Sequence, residues 1–429
     1  MRSANKGTSR RNFLKYGASA GLGMMALTRS SFAVAQAKKP ILIGVTSDAS
    51  GTYAPDGADE RRGMLMAIEE SNEKGGVLGR KIEYKHEDTE TNPSTAARKA
   101  ERLIQREQVD FLVGACSSDC ANAISEIAQR NGVVFFNSNS SADSVTNEHC
   151  HRTNFVVDAN NHMFISALGP WVARNVGKRW YFVTHDYTFG RTGTAEFRKV
   201  LTAENGVDLG EVLIPMGTRD FSAQIIKILA AKPDAVMTTV AGDDAAALYS
   251  QVKEFGADTK VQWCLACKDW PIIWALGWDK NFGVFGLTWY HKQDYPGIRE
   301  FVARYKKRWP TASVPVPGNE SYNGYMSIRE LLRAVDRAGT TRNHEVIKAL
   351  EGWVIKDSMK HDPTTIRALD HQFQATIYIA RQKPKDKMED ETDICEIIGM
   401  IKPEEAVIKP ADSTCKMETY AATPVYWRQ

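Results

Sequence analysis

From Lys38 to about Thr288 the chain alternates short apolar runs with helical stretches, and that rhythm leaves few folds open to it. Residues 41–45 form the first apolar run. A loop from Ser47 to Gly57 follows, and then Met64, Ala67, Ile68 and Ser71 recur at the spacing of a helix laid on a sheet. Further strands are predicted at 81–86, 109–114 and 133–137, with helices starting at Asn92-Pro93-Ser94 and spanning 119–130. After about Asp158 the pattern restarts. A helix carrying Met163, Ala167, Leu168, Trp171 and Val172 precedes strands at 180–184, 212–214, 235–240, 261–264 and 284–288, with helices from Phe221 and Ala245 between them. Strands joined by crossover helices pair in parallel and are covered on both faces. The expected class is therefore α/β, in two lobes that are each a parallel sheet with helices on both faces. The last third supplies helices at 298–309 and 322–338 and short strands such as 374–380, which need a sheet to join. The chain must then cross between lobes, with 38–157 and 290–364 in the first lobe and 158–289 and 365–429 in the second.

The N-terminus reads as an address. Ser9-Arg10-Arg11-Asn12-Phe13-Leu14-Lys15, a Gly-rich apolar stretch from Tyr16 to Leu27, and small-residue steps at Ala33-Val34-Ala35 and Ala35-Gln36-Ala37 have the parts of a signal peptide. The paired arginines resemble the twin-arginine export signal, which implies a periplasmic chain cut after Ala35 or Ala37. The match of Gly21-Leu22-Gly23-Met24-Met25-Ala26 to a dinucleotide fingerprint follows no strand and lies in the same segment, so it is set aside.

Several classes are disfavoured. Lys and Arg number 55 against 52 Asp and Glu, a net charge of +3, which gives no reason to expect a nucleic-acid partner. Beyond residue 37 no apolar run approaches the roughly 20 residues of a membrane helix. The mature chain has no nucleophile elbow, zinc-protease helix, phosphate loop or flavin motif, so neither enzyme activity nor a cofactor is expected. The His185-Asp186 and Asp370-His371 pairs are sequence neighbours whose side chains diverge on a strand.

Ligands of open α/β sheets sit beyond the carboxyl ends of the strands. The loops there hold Tyr53, then Cys116-Ser117-Ser118, then Asn137 to Ser141. In the second half they hold His185 to Gly190, Gly242-Asp243-Asp244, and Ala266-Cys267-Lys268-Asp269. Ser117 and Ser118 precede a helix whose free N–H groups suit a carboxylate, although serine there also serves as a plain cap.

Gly75 to Glu83, Asp88 with Asn92-Pro93, 109–114, Asp186 to Gly190, Asp220 to Gln224, Lys232 to Ala235, and Arg367 to Gln372 resemble the binding proteins of branched-chain amino-acid-type ABC importers, over nearly the whole mature chain. The resemblance implies a two-lobed, type I venus-flytrap receptor with three crossovers. It would bind a small solute without chemistry, as a monomer, for a membrane permease. It implies that Ser117 meets the ligand carboxylate, that Asn139 and Ser141 add contacts, that Tyr53 lines the cleft, and that Phe189 or Tyr187 matches a second-lobe tyrosine. Ser118, Gly242 and Tyr290 complete the candidate set. The family's ammonium-binding Glu is absent from the loop after 261–264, where Asp269 is the replacement. An amino acid is the first expectation, with an amide, urea or aromatic carboxylate as alternatives. Trp270, Trp274, Trp289 and Tyr290 would favour a flat ligand if they line the cleft and are core residues otherwise.

Seven cysteines leave one without an intrachain partner in an oxidising compartment. Pairing of Cys120 with Cys150 and of Cys395 with Cys415 is expected. The rival reading is a zinc or redox protein, built on Cys116, Cys120, His149, Cys150 and His151 or on Cys264 and Cys267.

Overall fold

A computed structural model describes residues 38–428. The export signal expected over residues 1–37 lies outside the described residues.

The first half builds β1 (Ile41–Thr46), α1 (Ala54–Glu73), β2 (Ile82–His86), α2 (Pro93–Gln105), β3 (Phe111–Gly114), α3 (Ser118–Asn131), β4 (Phe135–Asn137) and β5 (Asn154–Val156). Its five strands pair in parallel in the order β2-β1-β3-β4-β5. β1 is buried throughout, as a central strand covered on both faces must be. α2 begins where Asn92 accepts a hydrogen bond from the Thr95 N–H at 2.9 Å and Pro93 occupies the first turn.

The second half runs α4 (Asn161–Asn175), β6 (Arg179–His185), α5 (Thr188–Ala203), β7 (Val207–Ile214), α6 (Ser222–Ala231), β8 (Ala235–Thr238), α7 (Gly242–Glu254), β9 (Gln262–Cys267), α8 (Trp270–Lys280) and β10 (Val284–Leu287). Then come α9 (Ile298–Arg308), α10 (Asn319–Ala338) and α11 (Asn343–Leu350). A small antiparallel sheet of β11 (Val354–Ile355), β12 (Thr364–Ile366) and β13 (Phe373–Gln374) precedes β14 (Ile377–Gln382) and β15 (Cys395–Ile401). The second large sheet has seven strands, ordered β15-β14-β10-β9-β8-β6-β7. β14 and β15 run antiparallel, unlike the all-parallel sheet expected, because they enter from the small sheet and a short connection rather than through crossover helices.

The chain passes between the large sheets after β5, after β10 and between β13 and β14. Ile355, Ile366 and Phe373 belong to the hydrophobic core of the first sheet, so the last crossing comes about ten residues later than residue 364. The end of the chain also departs from the expected second-lobe segment 365–429. Its tail returns to the first sheet, where the Tyr426 hydroxyl donates to the Val109 carbonyl and Arg428 pairs with Asp110 at 2.8 Å. That return explains the cysteines. Cys150 is bonded to Cys415, correcting both expected pairings. Cys120 is a free thiol inside the α2–α3 core, and Cys395 is free at the start of β15, in the core of the second sheet.

α1 and α10 cross closely. A Cβ on Gly63 would stand 1.8 Å from the Ser321 carbonyl oxygen, and one on Gly324 would stand 2.2 Å from that of Glu60. Only glycines allow this approach, which brings the first turns of the two helices together over the ends of the strands. Among the described residues no helix is long and apolar enough to cross a membrane.

A cleft between the two sheets

The strand-end loops of both large sheets converge on one narrow cavity. Tyr53, Ser118, Asn139, Ser141, Tyr187, Phe189 and Asp269, all named from sequence, line it. Ser118 caps no N–H in its own helix; its hydroxyl accepts from the Ala142 N–H at 3.2 Å. Ser141 donates to Asp158 at 3.1 Å. The Asn139 amide donates to Glu60 at 3.0 Å and accepts from Asn323 at 2.9 Å. The Tyr53 and Tyr187 hydroxyls bond to each other across the cleft. Phe189 stands beside them, 6.0 Å from Tyr187 between ring centroids.

Three candidates lie elsewhere. Ser117 is buried at the N-cap of α3, with its carbonyl accepting from Ala121. Gly242 takes a φ of +63°, and a Cβ there would lie 2.7 Å from the Thr52 carbonyl. The next residue, Asp243, donates its N–H to that carbonyl at 3.0 Å. The glycine thus lets α7 touch the rim of the first lobe instead of reaching a solute. Tyr290 is a core residue whose hydroxyl accepts from the Cys395 N–H at 3.1 Å and donates to Asp393 at 3.2 Å. Trp289 and Trp270 are core too, and Trp274 is half-buried against the core of the second sheet. Trp289 stacks on Tyr322 at 5.3 Å, Trp270 packs against Tyr290, and Trp274 donates to the Ser313 carbonyl at 2.8 Å.

Sequence reasoning missed Asp56 and Glu320. They occupy the first turns of α1 and α10 and line the cavity with Asp269. One carboxylate oxygen from each of the three lies within 4.8 Å of the others. Both oxygens of Asp56 and of Glu320 are buried without a hydrogen-bond partner among the described residues, while Asp269 accepts from Asn319 at 3.3 Å. Burial and then the charge of Asp269 push the Asp56 and Glu320 carboxyls well above the ordinary range. Asp269 is raised as well, chiefly by burial. A fourth acid, Asp158, is raised by burial to about 6 and faces buried Lys360, which burial lowers to about 8.

The zinc cluster of the rival reading is not formed among the described residues. Cys150 is in the disulfide, His151 binds Glu418 at 2.6 Å and Glu126 at 3.1 Å, and Cys120 is enclosed in the core. Cys264 is a fully buried free thiol in β9, whereas free Cys267 reaches the cavity. Burial holds both thiols well above their usual range, the reverse of an activated redox pair.

Residues 40–387 match the profile of the periplasmic binding protein family. The chain belongs to the periplasmic binding protein family. The Leu/Ile/Val-binding protein homolog 7 of Brucella suis is 28% identical over 324 residues, 71% of this chain and 78% of that one. A crystallised periplasmic binding protein from Burkholderia mallei superposes with a TM-score of 0.82 at 26% identity, over 88% of this chain and 98% of that one. A solute-binding protein of an ABC transporter from Rhodopseudomonas palustris, solved with 3,4-dihydroxybenzoic acid, gives a TM-score of 0.77 at 21% identity, over 87% and 99%. That last likeness speaks for the fold alone. Proteins of this family bind small solutes without catalysis.

Proposed function

We propose that this binding protein closes on a small carboxylate-bearing solute, an amino acid first of all, and hands it unchanged to an importer. The observation that carries the reading is the polar cavity at the strand ends of both sheets, whose walls meet at Tyr53 and Tyr187. α3 has no side-chain cap, and its first N–H groups are the natural seat for a carboxylate. Asp269 faces the same space and suits an ammonium. The name of the Brucella relative fits an amino acid, and that of the Rhodopseudomonas structure fits an aromatic acid. A solute touching both walls favours the closed form only by what it gains there over the open one.

The mature chain acts as a monomer and reaches the periplasm folded, through the twin-arginine signal at Arg10 and Arg11. Changing both arginines to lysine should abolish its export.

Calorimetry on residues 38–429 with branched-chain amino acids, small amides and benzoates tests the reading. One-to-one binding without turnover supports it, and the tightest class names the solute. Silence across all three classes and across basic amino acids contradicts it.

A further inference from the structure

We infer that the cleft selects solutes of net positive charge, such as a basic amino acid or a diamine, with a primary ammonium or guanidinium seated among Asp56, Asp269 and Glu320. The inference rests on the reading of this cavity as the solute site and sets its charge preference: a basic amino acid keeps the carboxylate of that reading, and a diamine does without it.

Four side chains lining the cavity are acids, and none is Lys, Arg or His. Lys360 offsets Asp158 from behind. No cation is paired with the other three among the described residues: both oxygens of Asp56 and of Glu320 lack a donor partner, and Asp269 has only the neutral Asn319 amide and the Glu320 carboxyl beside it. Buried carboxylates left this way are costly unless a cation or a proton joins them. Asp158, outside the trio, adds a further unpartnered oxygen in the same space.

An ammonium brings three N–H donors and a guanidinium five. Three carboxylates whose oxygens lie within 4.8 Å of one another offer one acceptor group for each donor of an ammonium. A neutral zwitterion offsets one acid with its ammonium but adds a carboxylate of its own, leaving the cavity as negative as before. A benzoate makes it more so. Only a solute with an excess of positive charge lets the trio stay ionised at neutral pH. The aromatic walls add to this preference, since the faces of Tyr and Phe rings attract cations. Asp56 and Glu320 are thus specificity-determining residues, carried by the two helices that cross at Gly63 and Gly324.

The test is calorimetry of the mature protein with lysine, arginine, putrescine, leucine, benzoate and calcium chloride, each titrated alone, at neutral pH. At least one of the three cationic solutes should bind at least tenfold more tightly than leucine, and benzoate should not bind. Asp56→Asn and Glu320→Gln should each weaken the cationic solute at least tenfold and weaken leucine by a smaller factor. Circular dichroism checks that the variants fold. If leucine binds as tightly as the cationic solutes, the inference falls and the receptor reading stands. If calcium fills the site and no organic cation does, the inference falls in favour of a metal site. If nothing binds, both fall.

Discussion

The hydroxyls of Tyr53 and Tyr187 meet across the cleft, one from the loop after β1 and the other from the loop after β6, with their ring centroids 6.4 Å apart. Beside them Thr188 donates to Asp119, a second side-chain pair between the walls.

This latch should favour the closed form. A hydrogen bond contributes about 0.5–1.5 kcal/mol net. Tyr187→Phe is therefore expected to weaken solute binding by roughly 2- to 10-fold, read by calorimetry. Unchanged affinity would remove the latch from the account.

The tail should stabilise the first lobe. The Cys150–Cys415 bond joins residues 265 apart, a long loop for the unfolded chain to keep closed. Cys150→Ser or Cys415→Ser should cost about 2–4 kcal/mol in urea unfolding. A reductant should have a matching effect on the parent protein and none on the variants.

Glu60 should make stability fall with rising pH. Burial lifts its carboxyl from 4.5 to about 8, even though Ser138 and Asn139 bond it. The folded chain thus keeps a proton that the unfolded chain releases between those values. Stability is lost across that window, at up to about 1.4 kcal/mol per pH unit for one such group. Urea midpoints at about pH 5 and about pH 8 should differ less in Glu60→Gln than in the parent.

Much of this site was legible because strand rhythm and the strand-end rule converge on the same loops. Tyr53, Ser118, Asn139, Ser141, Tyr187, Phe189 and Asp269 all follow carboxyl ends of strands. Asp56 lay in the loop that supplied Tyr53, but nothing in the pattern set it apart from its neighbours. Glu320 was out of reach, since it follows no strand and stands beside Asp56 only because α10 crosses α1 at two glycines. Tyr290 also follows a strand, yet it turns into the core to meet Cys395. The cysteine pairing failed for a related reason: the tail's return to the first sheet is a tertiary event without a local signature.

The close crossing of α1 and α10 should tolerate no added bulk. Gly63→Ala would drive a methyl into the Ser321 carbonyl and should destabilise the protein by about 1–3 kcal/mol. It should also weaken solute binding, because Asp56 and Glu320 would move apart.

The most direct measurement is native mass spectrometry of the protein purified gently from its native host, followed by denaturation and identification of whatever is released. The account predicts one small molecule per chain, chemically intact and bearing an amine. Recovery of a chemically altered product, or of protein that stays empty and takes up no small solute when supplied with one, would contradict it.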